Sequence, residues 1–231
     1  MSTLHLLSGG AAQGLVKALQ ERYTAATGAM LQARFGAVGA MKEALLAGEP
    51  CDVMIVTAAM VDGLVGERRL RAEGRADLGR VRTGVAVKAG APRPDVSTAA
   101  ALKAALLAAD GVYFPDPVRA TAGIHFANVL RRLGIHEQLA PRFRTYPAGA
   151  IAMRELAAAQ GGAPIGCTQV TEIRYTEGVD CVGLLPPEFE LATVYTAAVA
   201  AGSKQAELAR ALIALLAGDE ARALRAAGGF E

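Results

Sequence analysis

Between Val112 and Ile135 the chain passes from three strand-forming residues, Val112, Tyr113 and Phe114, through Pro115 and Pro117 into a loop of small residues. An amphipathic run of Ile124, Ala127, Leu130 and Leu133 follows and stops at Gly134. Apolar residues at that spacing make one face of a helix, and prolines end a strand because they bring no N–H to the ladder. Thr121 occupies the predicted N-cap. The first-turn N–H groups of such a helix have no acceptor inside it and carry the positive end of its dipole, so they suit an anion. Ala120, Ala122 and Gly123 leave the approach open. An ordinary strand-to-helix connection has the same pattern, and only repetition along the chain separates the two.

That repetition is present. Leu4–Leu7 reads as a strand that empties through Ser8, Gly9, Gly10, Ala11 and Ala12 into a helix carrying Leu15, Val16, Leu19 and Tyr23, ended by Gly28. The glycines let the loop backbone approach a ligand, and the Ser8 hydroxyl can donate to an oxyanion. Met30–Phe35 leads through Gly36, Ala37, Val38 and Gly39 into a helix over 40–47, broken by Gly48 and Pro50. Val53–Val56 delivers Thr57 to a third helix, over 60–65. Further on, Phe143–Tyr146 runs through Pro147, Ala148 and Gly149 into a helix over 151–159, and Ile165–Val170 is a strand with Thr168 and Gln169 polar at its carboxyl end. Strands alternating with helices predict parallel βαβ units, in which ligands sit at the carboxyl ends of strands. The charged segment 66–80 then precedes a strand over 81–87. Ser97 or Thr98 caps a helix over 102–109, strands cover 179–184 and 191–199, and helices over 206–216 and 220–226 finish the chain.

Several function classes are disfavoured. With 24 basic and 22 acidic residues the net charge of +2 announces neither nucleic acid nor membrane surface. Arg68, Arg69, Arg71 and Arg75 cluster, but Glu67, Glu73 and Asp77 are interleaved, which describes a solvated face. Cys51, Cys167 and Cys181 lie in apolar runs without a CxxC pair, and His5, His125 and His136 are scattered, so no metal site, cofactor or disulfide framework is expected. The Ser8–Ala12 loop is neither GxGxxG nor a Walker loop, against nucleotide phosphate. Arg34, Lys42 and Arg119 flank the loops as surface cations or carboxylate partners. No run is apolar and long enough to insert in a membrane. If Met1 is the native start the compartment is cytoplasmic; if a leader has been removed, it is periplasmic.

The order Leu4–Gly28, Phe35-Gly-Ala-Val-Gly39, Cys51-Asp-Val-Met-Ile-Val56, Pro115-Asp-Pro117, Ala122-Gly-Ile-His-Phe126, Ile165-Gly-Cys-Thr-Gln169 and Leu212–Gly218 resembles the bacterial type II solute-binding proteins, in particular the molybdate-binding-protein-like group. The resemblance implies a two-lobed α/β fold of the type II periplasmic-binding-protein kind, each lobe a mostly parallel sheet flanked by helices. Lobe 1 would comprise residues 1–82 plus 195–231 and lobe 2 residues 83–194, joined by two hinge-crossing strands. It further implies a monomer that holds a small anion between its lobes and presents it to an ABC transporter permease. The ligand-binding set carried over is Ser8, Gly9, Gly10, Ala11, Val38, Gly39, Arg119, Thr121, Ala122, Ala148, Gly149, Thr168 and Gln169.

One position departs from the pattern. The second loop, serine-bearing in molybdate binders, is here Gly36-Ala37-Val38-Gly39. A tetrahedral oxyanion that loses a donor in a dry site loses about 1 to 3 kcal/mol, which shifts the expectation toward an organic carboxylate or another anion and leaves molybdate open. Aconitate isomerase is an enzyme similar to this group, so an allylic proton shift on a polycarboxylate is the rival reading, with His125 and Tyr146 as the candidate catalytic residues.

Overall fold

The computed structural model describes residues 2–231. Its elements, in order, are β1 (Thr3–Gly9), α1 (Gln13–Thr27), β2 (Met30–Gly36), α2 (Val38–Leu46), β3 (Val53–Thr57), α3 (Ala58–Gly66), β4 (Ala76–Lys88), α4 (Ala99–Ala108), β5 (Val112–Pro115) and α5 (Thr121–Arg132). There follow α6 (His136–Leu139), β6 (Phe143–Tyr146), α7 (Gly149–Ala158), β7 (Ile165–Gln169), α8 (Val170–Tyr175), β8 (Val179–Leu184), β9 (Ala192–Val199), α9 (Ala206–Ala217) and α10 (Arg222–Gly228). They form two compact units: the residues up to Val81 with Thr193–Glu231, and Arg82–Ala192. The chain passes from one unit to the other within β4 and returns within β9.

In the first unit the strand order is β2-β1-β3-β9, parallel except for β9. Leu4, Leu6 and Leu7 of β1 and the whole run Val53–Val56 are buried, as parallel strands covered by helices are. Helix α1 buries Leu15, Val16, Leu19 and Tyr23, the stripe its periodicity predicts, at roughly 1.5 to 3 kcal/mol for each large side chain. Gly28 ends it at φ 70°, a conformation that costs glycine nothing. Buried Asp52 ties distant segments together: its carboxylate accepts from the His5 N–H (2.9 Å) and the Ser203 hydroxyl (2.6 Å).

In the second unit the order is β4-β7-β5-β6, with β8 on the other side of β4. Strands β5, β6 and β7 are parallel, and β4 is antiparallel to β7. Phe114 packs edge-on against Phe126 (centroids 5.4 Å apart) and Phe143 (5.1 Å), the geometry that aligns a ring edge with a neighbour's electron-rich face.

Three local expectations are corrected. Strand β4 begins at Ala76, inside the segment read as charged surface, because Arg80 exchanges backbone hydrogen bonds with the C-terminal Glu231 (both 2.8 Å). Strand β7 ends at Gln169, and Val170 instead opens the short helix α8. Thr121 is not the N-cap of α5; Ala120 is, with extended φ and ψ of −99° and 127°, while Thr121 is already helical. Of the two residues offered as cap for α4, Thr98 serves, its hydroxyl accepting from the Ala101 N–H (3.1 Å). Among the described residues no helix is long and apolar enough to cross a membrane.

Candidate functional site

In the first unit the parallel register sets Ser8 beside Phe35 and Ile55, and Gly9 beside Gly36, so the carboxyl ends of the strands lie along one edge. Ser8 is fully buried and its hydroxyl donates to the Gly9 carbonyl (2.9 Å). Gly10 and Ala11 belong to a buried 3-10 turn over Gly10–Ala12. Gly9 must be glycine for packing reasons. A Cβ there would lie 2.9 Å from Val38 Cγ1 and 3.2 Å from Tyr195 Cε1. Val38 and Gly39 are the first two residues of α2, whose N-cap Ala37 supplies no side-chain acceptor. Helix α3 differs, since the Thr57 hydroxyl accepts from the Met60 N–H (3.3 Å). Arg34 is ion-paired with Glu49, and Lys42 with Glu67 (3.4 Å), both on the surface.

In the second unit Pro115 is paired with Tyr146, so the loops after β5 and β6 leave the same edge. The Asp116 carboxylate accepts from the Val118 (2.7 Å) and Arg119 (3.2 Å) N–H groups and folds the loop back to α5. The Arg119 side chain is exposed; Thr121 is half-buried and Ala122 buried. As in α2, the N-cap residue of α5 is an alanine with no side-chain acceptor. Gly123 is mandatory, because a Cβ would overlap the backbone oxygens of Pro115 and Asp116.

The start of α7 is different from what the sequence led one to expect. Ala148 is its N-cap, and the N–H groups of Gly149 and Ala150 are taken by the carboxylate of Glu172, which also accepts from the Gln169 N–H and the Thr168 hydroxyl (2.5 Å). Gly149 leaves room for this, since a Cβ there would overlap Glu172 Oε2 and Thr168 Oγ1. Burial pushes the Glu172 carboxyl above its ordinary range, partly offset by these four hydrogen bonds. For Gly149 the expectation of an amide open to a ligand is corrected, since the fold supplies its own carboxylate there. Thr168 is engaged with the same group, whereas both amide atoms of Gln169 are buried without a partner.

His125 is half-buried and its Nε2 lies 2.7 Å from the Phe189 carbonyl. A carbonyl can only accept, so Nε2 carries the proton and Nδ1 of the neutral ring is left as the acceptor. Tyr146 stacks on Tyr113 (centroids 6.2 Å, planes 10° apart), and burial raises its phenol pKa. The three cysteines are free; burial pushes the Cys51 thiol up to about 12 and raises the other two. Among the described residues no group of three or more His, Cys, Asp or Glu could hold a metal ion.

Two α/β units, each with small-residue turns at the carboxyl edge of parallel strands and with the chain crossing twice, define the architecture of the periplasmic binding proteins. The periplasmic molybdate-binding protein of Azotobacter vinelandii superposes on it with a TM-score of 0.80 (17% identity, 99% of this chain and 98% of that one). The sulfate-binding protein SubI of Mycobacterium tuberculosis H37Rv does so at 0.74 (18% identity, 100% and 86%). Residues 4–231 match the model of the bacterial extracellular solute-binding proteins, and the chain belongs to that family. An aconitate isomerase from Pseudomonas sp is 31% identical over 235 residues, 99% of this chain and 87% of that protein.

Neither Glu172 nor Thr83 was singled out by the sequence. Glu172 sits in a polar stretch, Thr171-Glu-Ile-Arg174, that carries no motif. The one available clue was Gly149, whose missing side chain makes space for that carboxylate.

Proposed function

We propose that the chain binds a small anion, an oxyanion or an organic carboxylate, as the monomeric substrate-binding component of an ABC transporter, with a permease as partner and the periplasm as compartment. The observation that carries this reading is the pair of helix starts, at α2 and α5, whose N-cap alanines, Ala37 and Ala120, bring no side-chain acceptor and which small residues line at strand carboxyl ends. Dipole and unpaired amides make such starts favourable to negative charge. The family assignment and the molybdate and sulfate ligands named for the two structural neighbours support it. On this reading Ser8, Gly9, Val38 and Gly39 are the anion-facing residues of the first unit and Thr121 and Ala122 those of the second, while at α7 Glu172 already takes the amides of Gly149 and Ala150.

A second reading is favoured by the 31% identity to an aconitate isomerase: the bound anion is a tricarboxylate, and a protein base moves an allylic proton. His125 Nδ1 has the lone pair for that step. Tyr146, its phenol pKa raised, suits the return of a proton better than its removal.

One experiment addresses both. Thermal unfolding is followed with millimolar molybdate, tungstate, sulfate, succinate, citrate and the two aconitates. A ligand at 100 times its Kd adds about 2.7 kcal/mol of stability, a Tm rise of roughly 5 to 10 °C for a chain this size. No shift with any anion overturns the binding reading. The aconitates are also incubated with protein in deuterated water, where deuterium entering an allylic carbon selects the isomerase and its absence removes it.

A further inference from the structure

Among the described residues, four buried side-chain polar atoms have no hydrogen-bond partner: Thr83 Oγ1, Gln169 Nε2, Gln169 Oε1 and Thr171 Oγ1. All three residues are more than nine-tenths buried and all belong to the second unit. They are not scattered. Thr83 of β4 is the antiparallel register partner of Gln169 at the end of β7, so the two side chains stand on the same face of the sheet. Thr171 follows two residues later, in the first turn of α8. Backbone next to them is engaged: the Gln169 N–H is held by Glu172, and the Thr83 N–H and carbonyl bond to Leu191 and Leu185 (both 3.2 Å). A buried amide with both ends unpaired is rare in a folded protein, because each orphaned atom costs free energy that apolar packing would avoid.

We propose that Thr83 and Gln169 form a specificity subsite for the ligand's neutral polar group, and that this group is a hydroxyl, so that the anion is a hydroxycarboxylate rather than a fully deprotonated tetrahedral oxyanion. This rests on the anion-binding reading and goes beyond it. Oxygens of molybdate or sulfate only accept; they would satisfy Gln169 Nε2 and the threonine hydroxyls but set another negative oxygen against Oε1. A ligand hydroxyl accepts from Nε2 and donates to Oε1, pairing both ends of the amide at once. Sites built to pair a hydroxyl reject the analogue lacking it, because their own buried groups are then left unpaired.

Two acid pairs that differ by a single hydroxyl test this by titration calorimetry: malate against succinate, and citrate against propane-1,2,3-tricarboxylate, with sulfate as the oxyanion. The hydroxy acid of at least one pair is expected to bind about 10- to 100-fold more tightly, a preference that Gln169→Leu abolishes and Thr83→Val reduces. Ligand-free stability supplies a second readout. Replacing an orphaned polar atom by an apolar one is expected to raise Tm by about 2 to 10 °C, whereas replacing a group that a structural water satisfies lowers it. A hydroxy-acid preference near unity, one unchanged in Gln169→Leu, or a lower ligand-free Tm in both variants overturns the subsite while leaving anion binding intact. Binding of no acid and no sulfate overturns the anion reading itself.

Discussion

Replacing Glu172 with alanine removes an acceptor on which four donors converge: the N–H groups of Gly149, Ala150 and Gln169, and the Thr168 hydroxyl at 2.5 Å. Donors left unpaired in the interior cost about 1 to 3 kcal/mol each. Deleting the group also relieves the cost of burying a carboxylate, so the contributions do not sum. A net loss of about 3 to 5 kcal/mol is expected, because several buried donors are orphaned at once. For a chain of 231 residues that is a fall in Tm of roughly 6 to 20 °C, read by circular dichroism. Because burial raises the Glu172 pKa in the folded state, the folded protein keeps a proton that the unfolded chain has already lost once pH exceeds the ordinary glutamate value. Its stabilising contribution is therefore complete below that value and declines as pH rises through the folded pKa. The stability difference between wild type and Glu172→Gln, which cannot titrate, should narrow as pH rises above the ordinary glutamate value. A Tm change under about 2 °C for Glu172→Ala refutes the packing account. A wild-type advantage that widens with pH refutes the sign of the shift.

Gly123→Ala places a Cβ against the backbone oxygens of Pro115 and Asp116 and should cost about 2 kcal/mol or more in urea unfolding, whereas Ile124→Ala, at an exposed position next to it, should change stability by less than about 1 kcal/mol. With the Cys51 thiol pushed up to about 12 and Cys167 and Cys181 also raised, the native protein should resist an aromatic disulfide reagent at pH 8. About one Cys51 in ten thousand is then thiolate. All three cysteines should react promptly once urea unfolds the chain.

The order of strands and helices is written locally and could be read before any coordinates. Leu15, Val16, Leu19 and Tyr23 recur at helical spacing, Gly28 and Gly134 mark helix ends, and Val53–Val56 is apolar throughout because both faces are covered. The glycine- and alanine-lined turns after β1, β2, β5 and β6 were legible for the same reason: backbone that must pass close to something tolerates few side chains.

Other features depend on partners far away in the chain, and no local pattern announces them. Strand β4 starts at Ala76 because the C-terminal Glu231 supplies its hydrogen bonds across 151 residues. Thr121 has the chemistry of a cap, yet the Asx turn at Asp116 brings Ala120 to that position instead. Glu172 looks like a surface residue in sequence, and only the packing of α8 against α7 carries its carboxylate to the amides of Gly149 and Ala150. Periodicity and turn chemistry act over a few residues, so they establish which elements form. Which buried polar group meets which donor is a matter of contacts closed over long loops, and that the folded chain alone decides.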